Sequence, residues 1–203
     1  VSTQASTTNW HTVQMWKELG ATRVVAAREV SLADLKEMKD HVDIEIESFV
    51  HGSMCISYSG RCLLSNYMTG NRDANRGQCS QSCRWKYSLV ESNRPGEYYP
   101  IEEDEHGTYI FNSKDLCLIH RIPDLYEAGI DSLKIEGRMK SVHYCATVAK
   151  VYRTAIDTYL KEGKDWYVRP EWIAELEKIS HRPYTDGFAE GRPDETAQNY
   201  GKS

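Results

Sequence analysis

The chain has 203 residues, 40% apolar and 27% charged, enough for one domain with its own core and too few for two large ones. Its formal net charge of -5 excludes a general electrostatic pull toward nucleic acid or an anionic membrane, so any RNA contact has to be local. Aromatic and branched residues recur throughout, and no run of about 18 uncharged apolar residues occurs, which excludes a disordered chain and a membrane-spanning helix. Residue 1 is Val, with neither an initiator Met nor a basic-then-apolar secretory signal behind it. The chain therefore reads as an excised piece of a cytoplasmic protein.

In chain order, residues 1–4 read as the end of a strand. Asn9 then caps a helix whose Trp10, Val13, Trp16 and Leu19 recur at helical spacing before Gly20 stops it. Residues 23–27 form a short apolar strand, and Ser31 with Asp34 makes an acidic capping box for a helix carrying Leu32, Leu35 and Met38. Residues 42–50 predict a third strand. Beyond the cysteine region Ser113 opens a further helix that Pro123 restarts and Gly129 ends, followed by a strand over 130–135. The strongest helical pattern runs over 141–160, with Cys145, Val148, Tyr152, Ile156 and Tyr159 on one face. Strands alternating with helices predict a parallel sheet with right-handed crossovers. Between 84 and 111, two strand-like runs (84–90 and 108–111) flank the Pro95-Gly96 turn and predict a small antiparallel insertion. From 163 onward the pattern gives one short helix, 170–179, and then a loosely ordered tail rich in Gly, Pro and Asp. The division expected is 1–162 and 163–203.

Six cysteines carry the strongest chemical signal. Cys55, Cys62, Cys79 and Cys83 crowd into a loop region with C-x6-C and C-x3-C spacing, while Cys117 and Cys145 stand apart. A chain of this length needs no disulfide staples, so clustered thiols read first as metal ligands. Loops rich in Ser, Gly and Asn can aim backbone N–H groups at cluster sulfurs, and the short C-x2-C knuckles of structural zinc are missing. Iron–sulfur thus leads zinc, and a disulfide set comes last. Cys145, on the apolar face of a long helix, reads as a buried small hydrophobe. Cys117, in the first turn of its expected helix, competes with Cys83 as fourth ligand.

Glu47 ends a strand at the carboxyl edge where α/β barrels hold their chemistry, with His51 four residues on and Cys55 four beyond that. The strand ending in Lys134, Ile135 and Glu136 places two charges where only paired charges are affordable, so a Lys134–Glu136 pair is expected, with Arg138 free to grip a carboxylate or phosphate. His143 reads as a surface histidine. His51 is the one local base for a cysteine nucleophile, and neither a G-x-S-x-G elbow nor an H-E-x-x-H helix is present. Arg61, Arg72, Arg76, Arg84 and Lys86, interleaved with Trp85 and Tyr87, form a basic and aromatic patch suited to phosphate contact and base stacking; packing of the insertion is the plainer use of the same residues.

The residues Glu47, Phe49, Gly52, Ser53, Met54, Cys55, Gly60, Cys62, Leu64 and Ser65 resemble, at each defined position, the signature E-x-F-x2-G-[SA]-[LIVM]-C-x4-G-x-C-x-[LIVM]-S of the U32 peptidase family, the collagenase-like proteases. The resemblance continues through Ser2-Thr3-Gln4-Ala5, Cys79-Ser80-Gln81-Ser82-Cys83-Arg84-Trp85, Glu103-Asp104-Glu105-His106-Gly107-Thr108-Tyr109, Asn112-Ser113-Lys114-Asp115-Leu116 and Ser132-Leu133-Lys134-Ile135-Glu136-Gly137-Arg138, nearly the whole chain. Arg94-Pro95-Gly96-Glu97-Tyr98 and the acidic run at 103–108 are most similar to the branch that helps make 5-hydroxyuridine at the tRNA wobble position. The resemblance implies an α/β, partial TIM-barrel-like domain, the second half of a barrel, with the small antiparallel β insertion at about 84–111. It implies a [4Fe-4S] cluster on four of Cys55, Cys62, Cys79, Cys83 and Cys117. It also implies tRNA and a small, prephenate-like hydroxyl donor as partners, the donor's carboxylates suiting Arg138 and Lys134. Half a barrel leaves an unpaired sheet edge, through which the protein could self-associate. Two alternatives stay beside this one: a peptidase acting on collagen-like chains, and a scaffold fragment without chemistry.

Overall fold

The computed structural model describes residues 1–55, 57–85, 92 and 114–191, together with the backbone of two short strands between them. Along the chain run α1 (Trp10–Glu18), β1 (Arg23–Val25), α2 (Leu32–His41), β2 (Glu45–Ser53), α3 (Leu64–Thr69), β3 (Ser88–Leu89), β4 (Tyr99–Pro100), β5 (Asp115–Cys117), α4 (Ile122–Glu127), β6 (Ser132–Glu136), α5 (Val142–Glu162), α6 (Pro170–Glu177) and β7 (Tyr184–Thr185).

Helix starts fall where capping side chains predict them. Asn9 accepts from the Thr12 N–H, Ser31 and Asp34 exchange both bonds of a capping box, and Ser141 accepts from the Tyr144 N–H. Residues 1–4 depart from expectation. The Val1 carbonyl accepts one bond from Val25 beside β1, and the chain then closes a 3-10 turn over Thr3–Ala5.

The sheet is mixed rather than parallel. β2 lies at its centre, with parallel β6 along one edge and, along the other, parallel β1 beside its first half and antiparallel β5 beside its second. β5 corrects the helix expected from Ser113. Asp115 is fully buried, and Leu116, Cys117 and Leu118 are buried with it, so tertiary pairing overrides a local helix-start signal. The helix forms later, after a 3-10 turn at Ile119–Arg121, with Pro123 in its first turn. The stretch expected to be a loose tail supplies β7, parallel to β5, and buries Ala189. In the insertion, β3 and β4 pair antiparallel, as expected of it. Arg84 belongs instead to a 3-10 turn, Ser82–Arg84, and the expected strand at 108–111 lies outside the described residues.

One sheet face is apolar and covered by helices. Val24 and Ile46 pack with Val13 of α1 and with Leu35 and Met38 of α2; Leu133 and Ile135 join a second cluster built on Val148, Val151, Tyr152 and Ala155 of α5 and on Trp172 and Leu176 of α6. The opposite face carries Glu45, Glu47 and Phe49 of β2 beside Ser132, Lys134 and Glu136 of β6. Between Phe49 and His51 the register shifts by a bulge. At its far side Gly52, with φ +107°, lies so close to β6 that a Cβ would collide with the Glu136 carbonyl oxygen, so only glycine brings the two strand ends together here. Among the described residues no helix is long and apolar enough to cross a membrane.

Candidate functional site

The cysteine loops begin where β2 ends and are tied down from several sides. Ser59, fully buried, donates through its N–H and its hydroxyl to the Glu29 carboxylate (3.1 and 2.9 Å) and accepts from the Arg28 N–H (3.0 Å), fastening the Cys55–Cys62 loop to the turn after β1. Ser65 accepts from the Ser80 N–H at 2.9 Å, joining α3 to the Cys79 segment. The Arg138 guanidinium donates to the Gly77 and Cys79 carbonyls, and the Arg84 guanidinium donates to Asp115 (2.8 Å) and to the Met54 carbonyl (3.0 Å).

These ties surround a cavity of about 80 Å³ whose wall holds Cys55, Cys62, Cys79 and Cys83 together with Arg28, Arg84, Arg138 and Glu136. Burial pushes the Cys83 thiol up to about 11, with the neighbouring thiols adding to the effect. Burial also raises Cys55, against the Ser57 backbone hydrogen bond and the Arg28 charge. The Gln81 N–H lies 3.3 Å from the Cys79 sulfur. Burial thus disfavours the thiolates of Cys55 and Cys83, and a bound cation reverses that preference outright. The donor set therefore fits a metal group held by sulfur. Among the described residues no three His, Cys, Asp or Glu side chains converge on one point as a single ion requires.

Cys117 is not in this wall. It is buried in β5, with the Tyr152 hydroxyl 4.0 Å from its sulfur, and the helix N-terminus expected beneath it does not exist. Cys145, expected to be buried, is half-buried on α5 against Gly137, its thiol 3.6 Å from that carbonyl.

The charged candidates separate. Glu47 is held by Lys134 (2.9 Å), by the Ser132 hydroxyl (2.8 Å) and, at 3.6 Å, by Arg23; these partners keep its carboxyl below the usual range against the opposing effect of its burial. The expected Lys134–Glu136 pair is thus replaced by cross-strand pairing. Glu136 instead accepts from the Arg138 N–H and faces Arg28 at 3.8 Å. Arg138 is not a free grip for an anion, because backbone carbonyls that the sequence could not reveal as acceptors take its guanidinium.

His51 is the clearest correction. Strand alternation places it with Glu47, but the bulge sets it opposite Ile135 on the apolar face, where its ring meets Tyr144, Tyr152 and Tyr184. It is fully buried, its Nε2 has no hydrogen-bond partner among the described residues, and it does not line the thiol cavity. Burial lowers its pKa from 6.5 to about 4; Asp115 opposes this, while His181 and Lys140 add to it. The unfolded chain therefore takes up a proton near pH 6.5 that the native protein refuses until about pH 4. Stability should fall between those values by about 3 kcal/mol and level off below them. Urea denaturation from pH 7 to 4 should show this loss, and His51→Gln should flatten it; an unchanged slope in the variant rejects the assignment.

Sequence reasoning missed Arg28 and Glu29, whose signal was a charged pair directly after an apolar strand, and it missed Asp115 as a buried counter-charge. In the expected RNA patch, Arg61, Arg72 and Arg76 are exposed and Trp85 is 44% exposed, joined by Tyr58, Leu63 and Tyr67. Arg84 is committed to Asp115, and Lys86 and Tyr87 lie outside the described residues.

The model of peptidase family U32 matches residues 1–199. The tRNA hydroxylation protein P1 of Bacillus subtilis is 51% identical over 202 residues, 100% of this chain and 47% of that protein. The tRNA hydroxylation protein P of Escherichia coli is 41% identical, over 98% of this chain and 52% of its own. The 23S rRNA 5-hydroxycytidine C2501 synthase of Escherichia coli is 34% identical, over 94% of this chain and 29% of its own. The chain thus spans about half the length, or less, of these curated relatives. No solved structure matches it.

Proposed function

This chain belongs to peptidase family U32, and on that footing we propose that it carries the reaction centre of an RNA-hydroxylating protein, a cytoplasmic one that acts on the wobble uridine of tRNA. The observation that carries the proposal is the four-thiol cavity at the carboxyl ends of β2 and β6, lined by arginines and one carboxylate. Cys55, Cys62, Cys79 and Cys83 would hold a [4Fe-4S] cluster, which when bound would supply an electron-transferring centre to that cavity. The chain's own groups do the rest. Arg138 and Arg84 fix the loops that carry Cys79 and Cys83, Glu47 and Lys134 close the charged sheet face below, and the exposed arginines and aromatics of residues 58–85 offer phosphate contacts and stacking surfaces for an unpaired base. A small anionic hydroxyl donor is the second substrate. The parallel set β1, β2 and β6, with α1, α2, α5 and α6 packed on one face, supports reading the domain as part of a barrel whose other strands lie elsewhere in the protein, or whose free edge meets a second copy.

The peptidase reading loses its base, because His51 lies under α5 and outside the cavity wall. Nucleoside analysis of tRNA decides between the two. A deletion strain should lack 5-hydroxyuridine and regain it from the wild-type gene but not from one encoding Cys55→Ser. Unchanged 5-hydroxyuridine in the deletion strain rejects the proposal.

A further inference from the structure

Three guanidinium groups line the thiol cavity, and two are already engaged: Arg84 by Asp115 and the Met54 carbonyl, Arg138 by the Gly77 and Cys79 carbonyls. Arg28 is different. Its side chain is only 13% exposed, its Cζ lies 4.2 Å from the Phe49 ring centroid, and its one carboxylate neighbour, Glu136, pairs with it at 3.8 Å, too far for a hydrogen bond. Among the described residues its Nε is wholly buried without a hydrogen-bond partner.

A guanidinium has five donors, and taking them out of water unsatisfied is costly. The fold nevertheless holds this one in place. Phe49 supports its face, and its backbone N–H is bound to Ser59, which Glu29 in turn fastens. A rigid cation with a free edge, facing a cavity, is built for an acceptor that arrives from outside, and a planar two-oxygen anion matches that edge with two parallel bonds. We propose that Arg28 is the anion-binding residue of the thiol-lined cavity, taking the carboxylate or phosphate of a small co-substrate beside Cys55. This deepens the function proposed above, since it rests on that cavity being the reaction centre and names the group that holds the anionic substrate there.

The test is calorimetric titration of the full-length protein, at fixed ionic strength in chloride, with malonate, with inorganic phosphate and with a short single-stranded RNA as separate probes. Saturable binding of malonate or phosphate is expected. Arg28→Gln should weaken it at least about tenfold, and Arg28→Lys, which keeps the charge but not the paired edge, should weaken it nearly as much. Arg153→Gln on α5, an exposed arginine paired with Asp157, should leave it unchanged. Should Arg28→Gln fail to fold, Arg28→Lys decides. No saturable binding of either anion to the wild type, or binding within twofold of wild type in Arg28→Lys, overturns the proposal. Loss of RNA binding alone moves the oxyanion to the nucleic-acid backbone and overturns the small co-substrate. None of these results depends on tRNA nucleoside content, so the hydroxylation reading stands or falls separately.

Discussion

Serine at Cys55, Cys62, Cys79 or Cys83 is expected to abolish stoichiometric iron and sulfide binding in anaerobically reconstituted protein, whereas serine at Cys117 or Cys145 leaves both in place. The first four thiols share one cavity wall, and burial disfavours ionisation of Cys55 and Cys83 until a cation arrives. Removing one sulfur leaves one iron of the proposed cluster without its protein ligand, so the effect should be near all-or-none, read as loss of the sulfide-to-iron absorption and of acid-labile sulfide. Cys117 sits in β5 under the Tyr152 hydroxyl, where burial raises its pKa, and it faces the core instead of the loops. Cys145→Ser should cost less than about 1.5 kcal/mol, a near-isosteric change at a half-buried position where water can reach the hydroxyl. Full iron content in Cys83→Ser combined with its loss in Cys117→Ser would return the fourth position to Cys117. Zinc bound without sulfide under the same conditions would replace the cluster with a single-ion site.

What the sequence could disclose was local. Caps at Asn9, Ser31 with Asp34, and Ser141 act within four residues, so they were legible and the helices start where they say. The spacing of four thiols announced a shared site because the sequence itself brings them close. The failures are all long-range. β5 could not be read because the partner that makes a buried Asp115 tolerable, Arg84, lies 31 residues away. His51 was expected near the site because it follows Glu47 by four residues, but a bulge between Phe49 and His51, which has no signature in residue type, turns it to the apolar face. Arg138 looked like a free anion grip because its acceptors are backbone carbonyls, which every residue possesses. Arg28, by contrast, became visible as a cation whose buried Nε lacks a hydrogen-bond partner only once the other two arginines of the cavity were seen to be engaged.

Asp115→Ala is expected to destabilise the protein by about 3–5 kcal/mol, the largest stability loss anticipated from a single side chain here. The carboxylate is wholly buried. It accepts from Arg84 at 2.8 Å and from the Arg182 N–H at 3.3 Å, and it has the Lys140 ammonium at 3.6 Å. It therefore ties β5 to the turn that carries Cys83, to the segment leading into α5 and to the segment leading into β7. Truncation leaves the Arg84 guanidinium, only 13% exposed, without its counter-charge. Asp115→Asn keeps the shape but turns an amide toward cations, so a smaller loss is expected, on the order of 2 kcal/mol. The cost lies in breaking the pair more than in lacking it, and that gives the prediction its sharper form: Asp115→Leu combined with Arg84→Met should lose less stability than Asp115→Ala alone. The double variant should still bind iron less well, because the Met54 carbonyl and the turn before Trp85 then lose the guanidinium that positions them. Urea denaturation of the apo-protein measures the first effect and anaerobic reconstitution the second. A loss under about 1 kcal/mol in Asp115→Ala means that the buried carboxylate does not hold these segments together.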